Sequence, residues 1–163
     1  MPLAIDLVLI DCVDLDAMTA FWCDALDLEH VWTGPSGGHL LEAADGSGRR
    51  LALMPAPDTK TTKNRVHFDL RPDVDQQVEV ARLENLGARR VDVGQSDATW
   101  VVMADPEGNE FCVLRSLTQK EASSPQRSSD AGLDGENGRL IERPYTIGCG
   151  AHTDLDVDEP GIS

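Results

Sequence analysis

The fold is decided by two stretches, Val66-His67-Phe68-Asp69-Leu70 and Val101-Val102-Met103-Ala104-Asp105-Pro106-Glu107-Gly108-Asn109-Glu110-Phe111-Cys112-Val113-Leu114. The first stretch alternates apolar and polar residues, which predicts a strand whose apolar positions 66, 68 and 70 face a covered side. The second contains the segment 105–109, in which proline fixes one φ angle, glycine permits a positive one, and Asp and Asn bond their own backbone. This segment predicts a tight hairpin between two strands.

The same order of elements occurs twice along the chain. In the first half we predict one strand, one helix and three further strands, at residues 4–12, 14–26, 29–33, 39–43 and 50–54. In the second half the corresponding elements are expected at residues 65–71, 73–86, 88–93, 98–103 and 110–115. Residues 55–64, rich in Pro, Asp, Thr and Lys, are typical of a linker. The repeated order indicates an internal duplication.

Each predicted helix has an apolar stripe at helical spacing. The stripe of the first helix consists of Ala17, Met18, Phe21, Trp22 and Ala25, and we interpret Phe21 and Trp22 as packing residues. The stripe of the second consists of Val74, Val78, Ala81, Leu83 and Leu86, followed by Gly87 at the position of a C-terminal cap. Asp14 or Asp16 is expected to cap the first helix.

Composition excludes several classes of partner. A net charge of −15 argues against nucleic acid and anionic membranes, because both require clustered Lys and Arg. The 163 residues contain no apolar run long enough to cross a membrane, and residues 1–6 lack the features of a signal peptide, so we expect a cytoplasmic protein. The four cysteines form no Cys-x-x-Cys pair and are expected to be buried thiols.

The order of elements in the second half resembles the second half of a vicinal oxygen chelate domain. This order is the Val66-His67-Phe68-Asp69 strand, an amphipathic helix, two strands and a last strand introduced by Asp-Pro-Glu-Gly-Asn. This superfamily includes glyoxalase I, extradiol dioxygenases and bleomycin-resistance proteins, and the chain looks most like its glyoxalase-like members. The resemblance covers residues 3–116 and implies an α+β fold of two βαβββ modules, at 3–56 and 65–116. We expect residues 117–163 to form an acidic, flexible tail.

The resemblance also implies a divalent metal, held by one residue from each of four strands, usually His or Gln, Glu, His and Glu. These positions fall on Leu7, Ala52, His67 and Cys112, and only His67 matches the usual set. His67 with a Cys112 thiolate would suit a softer ion such as zinc, but two ligands are too few for a tight site. Whether the protein uses a metal cofactor or none therefore stays open.

His67 has three interpretations. It is a structural residue that hydrogen-bonds inside the cavity, a ligand contact or general acid/base paired with Asp69, or one ligand of a metal site. In the third case Asp69, Glu110 or Asp11 would be the substitute ligands. Any catalytic role is thus assigned to His67 and Asp69.

Strand alternation predicts a small-molecule pocket that is mostly apolar with a few polar groups. The predicted ligand-binding residues are Leu7, Leu9, Asp11, Ala52, Met54, Arg65, Trp100, Glu110 and Cys112. Trp32 and Trp100 are candidates for stacking on a planar ligand, and equally for a place in the core or in a dimer interface.

The leading functional hypothesis is a glyoxalase-like protein that binds a small organic molecule at a degenerate metal site, with metal-independent lyase or isomerase chemistry at His67. One alternative is sequestration of a cationic drug or metabolite by a dimer, as bleomycin-resistance proteins do. Another is a lyase or dioxygenase that uses a divalent metal with substitute ligands. A fourth hypothesis is a non-catalytic assembly module with the tail as its interaction segment. The resemblance further implies a homodimer.

Overall fold

The computed structural model describes residues 2–118. Its elements, in chain order, are β1 (Val8–Cys12), α1 (Leu15–Leu26), β2 (Glu29–Thr33), β3 (His39–Glu42), β4 (Arg50–Pro55), β5 (Asp69–Leu70), α2 (Gln76–Asn85), β6 (Arg89–Arg90), β7 (Val101–Ala104) and β8 (Glu110–Val113). Of the predicted tail, only Leu117 and Thr118 belong to the described residues, and Cys149 lies outside them. No helix within residues 2–118 is long and apolar enough to span a membrane.

Two four-stranded sheets have the same internal order. The first sheet runs β1-β4-β3-β2 and the second β5-β8-β7-β6, and in each the first strand of the module pairs in parallel with the last. The remaining pairs are antiparallel. The predicted α+β fold of two βαβββ modules is confirmed.

Helix α1 begins and ends at residues that the sequence favours for those positions. The Asp14 carboxylate accepts a hydrogen bond from the Ala17 amide at 3.0 Å, and Asp27 takes the left-handed conformation after the last turn. Met18, Phe21 and Trp22 are buried, as predicted, whereas Ala17 is exposed. The buried face of α1 therefore starts one position later than expected.

The predicted apolar face of helix α2 was wrong in three positions. Val74, Val78 and Ala81 are exposed, and the buried residues of the helix are Gln76, Val80 and Leu83. The helix also starts later than predicted, because Asp75 caps it by accepting from the amides of residues 77 and 78. Val74 therefore lies before the helix, while Val78 and Ala81 lie on its exposed side.

Gln76 is buried because its side-chain amide has backbone partners. Its Nε2 donates to the Thr99 carbonyl at 3.0 Å and to the Val113 carbonyl at 2.8 Å. A buried amide with satisfied donors costs little free energy, so a polar residue can occupy a core position here.

Aromatic side chains from both modules share one core. Trp22 of α1 packs edge-on against Phe68 and Phe111 of the second module, each with ring centroids 5.6 Å away. Phe21 packs against Trp22 at 5.1 Å. The interpretation of Phe21 and Trp22 as packing residues is confirmed.

Strand β5 is shorter than the predicted strand 65–71. Its pairing with β8 begins at the Phe68 carbonyl, which accepts from the Cys112 amide at 2.8 Å. Phe68 and Leu70 pack against the core as predicted, but Val66 is 79% exposed. Val66 lies before the ladder begins, so sheet pairing does not direct its side chain inward.

The turn between β7 and β8 is organised by the buried carboxylate of Asp105. This carboxylate accepts hydrogen bonds from the Glu107 amide (3.0 Å), the Asn109 amide (2.8 Å) and the Asn109 side chain (2.9 Å). Gly108 has a φ of +92°, which favours glycine. Burial raises the pKa of Asp105 above its usual value, although these hydrogen bonds act in the opposite direction. The predicted hairpin is confirmed.

The same turn connects the two modules. The Glu107 carboxylate accepts hydrogen bonds from the Val13 amide, at 2.9 and 3.0 Å, and from the Asp14 amide. These amides lie at the start of α1, where free N–H groups and the helix dipole favour an anion. Glu107 thus holds the β7–β8 hairpin against the first module.

We predict that Asp105→Ala lowers the free energy of unfolding by about 2–4 kcal/mol, because buried donors lose their acceptor. Urea denaturation measures the loss. The matched control is Asp45→Ala, since Asp45 accepts from the Ser47 amide in the exposed β3–β4 turn of the other module. A loss in the Asp45 variant as large as that in the Asp105 variant would contradict the assignment.

Candidate functional site

A cavity of about 270 Å³ lies in the seam between the two sheets. Strand β1 is an edge strand of the first sheet and β5 is an edge strand of the second, so the cavity runs between strand edges. Its lining residues are Val8, Leu9, Ile10, Asp11, Trp22, Asn64, Val66, Phe68, Asn109, Glu110 and Phe111. The lining is mostly apolar with four polar side chains, as is usual for small-molecule sites.

Three predicted ligand-binding residues, Leu9, Asp11 and Glu110, line this seam cavity. The other predicted residues, Leu7, Ala52, Met54, Arg65, Trp100 and Cys112, do not line it, nor do His67 and Asp69. Alternation along single strands could not predict the additional lining residues, because a seam exposes both faces of an edge strand. Of the lining residues in this segment, Val66 was expected on the covered side of the predicted strand 65–71, and Asn64 carried no signal beyond its place beside that strand.

The open face of the first sheet, on the side away from α1, carries an apolar row. Strand pairing places Leu9 beside Ala52, Ala52 beside Leu40, and Leu40 beside Trp32, so the row crosses all four strands. Leu9 is 48% and Trp32 57% exposed. The predicted neighbours Leu9 and Ala52 do share a face, and Trp32 extends their row to the far edge.

The corresponding row on the second sheet is mixed, since it contains a carboxylate and a thiol beside a buried valine. Asp69 pairs with Cys112, and Cys112 pairs with Val102 on its other side. His67 precedes Asp69 by two residues, and its Nε2 accepts a hydrogen bond from the Lys63 Nζ at 2.9 Å. His67 and Asp69 both belong to the part of the chain that the structure describes, and no hydrogen bond joins them. The imidazole is therefore oriented by a lysine rather than by the predicted carboxylate.

Glu110 is held by the segment that precedes β5. Its Oε1 accepts from the Lys60 Nζ at 2.8 Å, in an ion pair whose side chains are 19% and 10% exposed, and its Oε2 accepts from the Asn64 amide at 2.9 Å. Burial acts to raise the pKa of Glu110, but Lys60 and the Asn64 amide outweigh it, so the pKa is lowered. Glu110 is thus an ionised carboxylate with both oxygens engaged.

The residues at the four implied metal positions do not fit a divalent ion. Leu7 and Ala52 have no donor atom, and the Nε2 of His67 already accepts from Lys63. Among residues 2–118 no group of three or more His, Cys, Asp or Glu side chains is placed to hold a metal ion. A tight site needs three or four ligands, which this arrangement does not supply.

The sequence model of the family described as "Glyoxalase-like domain" matches residues 7–114. The chain belongs to the glyoxalase-like domain family. This match spans both βαβββ modules and confirms the expected membership of the vicinal oxygen chelate superfamily. No curated protein matches the sequence.

Solved structures share the fold of this glyoxalase-like domain at low identity. A variant of the fosfomycin resistance protein FosX from Listeria monocytogenes, with Mn(II) and 1S,2S-dihydroxypropylphosphonic acid, is 15% identical with a TM-score of 0.55, over 76% of this chain and 98% of that one. FosX from Mesorhizobium loti is 17% identical with a TM-score of 0.56, over 75% and 99%. A possible glyoxalase from Bacillus cereus is 19% identical with a TM-score of 0.52, over 69% and 99%. At these identities the similarity establishes the fold alone.

Acidic residues surround the thiol at the end of β1. Burial raises the pKa of Cys12 to about 11, and the charges of Glu107 and Asp105 contribute in the same direction. Cys12, Cys23 and Cys112 are all thiols, and Cys12 is 1% exposed whereas Cys112 is half-buried. Cys12 is consequently a structural core residue of the glyoxalase-like domain.

We predict that iodoacetamide at pH 8 leaves Cys12 unmodified in the native protein while Cys112 reacts. At this pH a thiol with a pKa near 11 is only roughly one thousandth ionised, and the thiolate is the reactive species. Peptide mass spectrometry measures the modification of each residue, and the same reaction in urea is the control. Equal rates for Cys12 in native and unfolded protein would refute the prediction.

Proposed function

We propose that this glyoxalase-like protein binds a small organic molecule in a metal-independent site at the seam cavity and the adjoining open face of the second sheet. The observation that carries the proposal is the engagement of His67 and Glu110 by Lys63 and Lys60. A divalent ion would have to displace both lysines and would find no donor atom at the implied first-module positions, Leu7 and Ala52. In this proposal the ligand therefore binds at the seam cavity without a divalent ion.

His67 is the group best suited to proton transfer in this site. A lysine ammonium is only a donor, so the His67 Nε2 that accepts from Lys63 carries its lone pair. A ligand that displaces Lys63 would meet an unprotonated imidazole, which can remove a proton next to a carbonyl group, as lyases and isomerases require. His67 precedes β5, and Asp69, the first residue of that strand, makes no hydrogen bond to it among the described residues.

A second candidate function is sequestration of a cationic compound. The Asp11 carboxylate lines the seam cavity, and within residues 2–118 it makes no hydrogen bond or ion pair. A cationic ligand could pair with Asp11, in keeping with the net charge of −15. The Lys60 ammonium on nearby Glu110 weighs against this alternative, because it already neutralises the other carboxylate of the cavity.

We predict that elemental analysis finds substoichiometric metal in protein purified without chelator, and the same result for His67→Ala.

In a thermal-shift screen of small organic acids, ketones and cationic aromatic compounds, we expect to find ligands that stabilise the wild-type protein but not His67→Ala. The matched control is His30→Ala, which removes an exposed imidazole from β2, the far strand of the first sheet.

One ion per chain that disappears in His67→Ala would overturn the metal-independent proposal and favour a metal-dependent lyase or dioxygenase. Ligands that bind equally well to the wild type and to His67→Ala would show that His67 takes no part in ligand binding. A preference for cationic aromatic compounds, weakened by salt, would favour sequestration.

We also propose that two copies of the glyoxalase-like domain associate through the open face of the first sheet. The apolar row from Leu9 to Trp32 is exposed in the single chain, and burial of contiguous apolar surface drives association. Leu9 belongs both to this row and to the cavity lining, so a second copy would also cover the mouth of the cavity.

We predict a dimer by light scattering, and a dissociation constant raised at least about tenfold in Trp32→Glu, because a charge replaces a large apolar contact. The control is Val78→Glu, which places the same charge at an exposed apolar position of α2. A wild-type monomer, or dissociation of both variants alike, would refute the association through this face.

A further inference from the structure

The segment that connects β4 to β5 is basic in an otherwise acidic protein. This connecting segment, residues 56–68, contains Lys60, Lys63 and Arg65 but a single acidic residue, Asp58, whereas the whole chain has a net charge of −15. A local reversal of charge beside a cavity concentrates ligands of opposite charge.

The three basic residues differ in their partners. Lys60 is neutralised by Glu110 at 2.8 Å. Lys63 contacts the His67 imidazole at 2.9 Å, and within the described residues no carboxylate pairs with Lys63, Arg65 or His67. Arg65 lies between the other two in sequence and is exposed. Three groups that donate hydrogen bonds therefore lack an anionic partner beside the second sheet.

The arrangement is unfavourable for a cation and suited to an anion. A cation near His67 would meet the Lys63 ammonium, which lies 2.9 Å from the His67 Nε2. An oxyanion would instead accept charge-assisted hydrogen bonds from Lys63 and, two residues on, Arg65, and the Nδ1–H of the neutral His67 would be a third donor.

We propose that Lys63, Arg65 and His67 form an oxyanion subsite that receives the carboxylate, phosphonate or phosphate group of the ligand, and that these basic residues replace the metal ion as the source of positive charge. The inference rests on the proposed function, since it names the chemical class of the molecule that this site binds. Asn64 and Val66, the residues between the basic ones, line the seam cavity, so the proposed subsite belongs to the segment that borders this cavity.

The experiment is a titration of the full chain with inorganic phosphate, methylphosphonate and acetate at constant ionic strength. The histidine ring C–H resonances are followed by NMR and assigned with His67→Gln. We expect a saturable shift of the His67 resonances when phosphate is bound. Stronger binding of phosphate and methylphosphonate than of acetate would identify a dianion site, and the reverse order a carboxylate site.

Matched variants separate the subsite from general screening. Lys63→Gln and Arg65→Gln are each expected to weaken phosphate binding about tenfold, the effect of losing one charge-assisted hydrogen bond. Arg90→Gln removes the same charge from β6, where Arg90 pairs with Glu84 at 3.0 Å, and should leave the affinity within about twofold.

Unshifted His67 resonances, or equal weakening by Arg90→Gln and Lys63→Gln, would overturn the oxyanion subsite. If neutral or cationic molecules still bind in a His67-dependent manner, the proposed function survives and only the ligand class is wrong. If no molecule of any class binds, both proposals fail.

Discussion

The hydrogen bonds of Asp105 and Glu107 are the constraint on which the rest of the structure depends. The Asp105 carboxylate accepts hydrogen bonds within the β7–β8 turn, and the Glu107 carboxylate bonds that turn to the amides at the start of α1. With the shared aromatic core, this contact fixes one module against the other. The seam cavity between β1 and the segment before β5 exists only because the two modules are held in this way.

Much of the fold was predictable because its signals are local. Turn chemistry at 105–109 and the Asp14 cap of α1 depend on residues close in sequence, so they were recognisable. The errors have non-local causes. Gln76 is buried because two distant carbonyls satisfy its amide, and Val66 is exposed because ladder pairing starts only at Phe68. Neither cause is visible in the periodicity of a single segment.

The site was predictable to the extent that strand alternation decides which residues share a face. The pairing of Leu9 with Ala52 and of Asp69 with Cys112 follows the expected layout. The role of the connecting segment did not follow from its sequence, because its Pro, Asp, Thr and Lys content indicates only a linker. Lysine side chains are long enough to reach across to another element, and Lys60 and Glu110 are 50 residues apart in sequence. Such contacts depend on the three-dimensional course of the chain.

The two modules share a layout but differ in the chemistry of their open faces. A metal centre requires donors from both, and the first module offers Leu7 and Ala52 at the implied positions, with the apolar row from Leu9 to Trp32 on its open face. The second has His67 and Cys112 at the implied positions, and its lysines engage His67 and Glu110. An apolar wall stabilises the hydrocarbon part of a ligand by about 25 cal/mol per Å² buried, with little regard to its detailed shape. In the function we propose, selectivity would come from the charged groups of the second module, because a buried polar group left without its partner costs more than an imperfectly filled apolar surface.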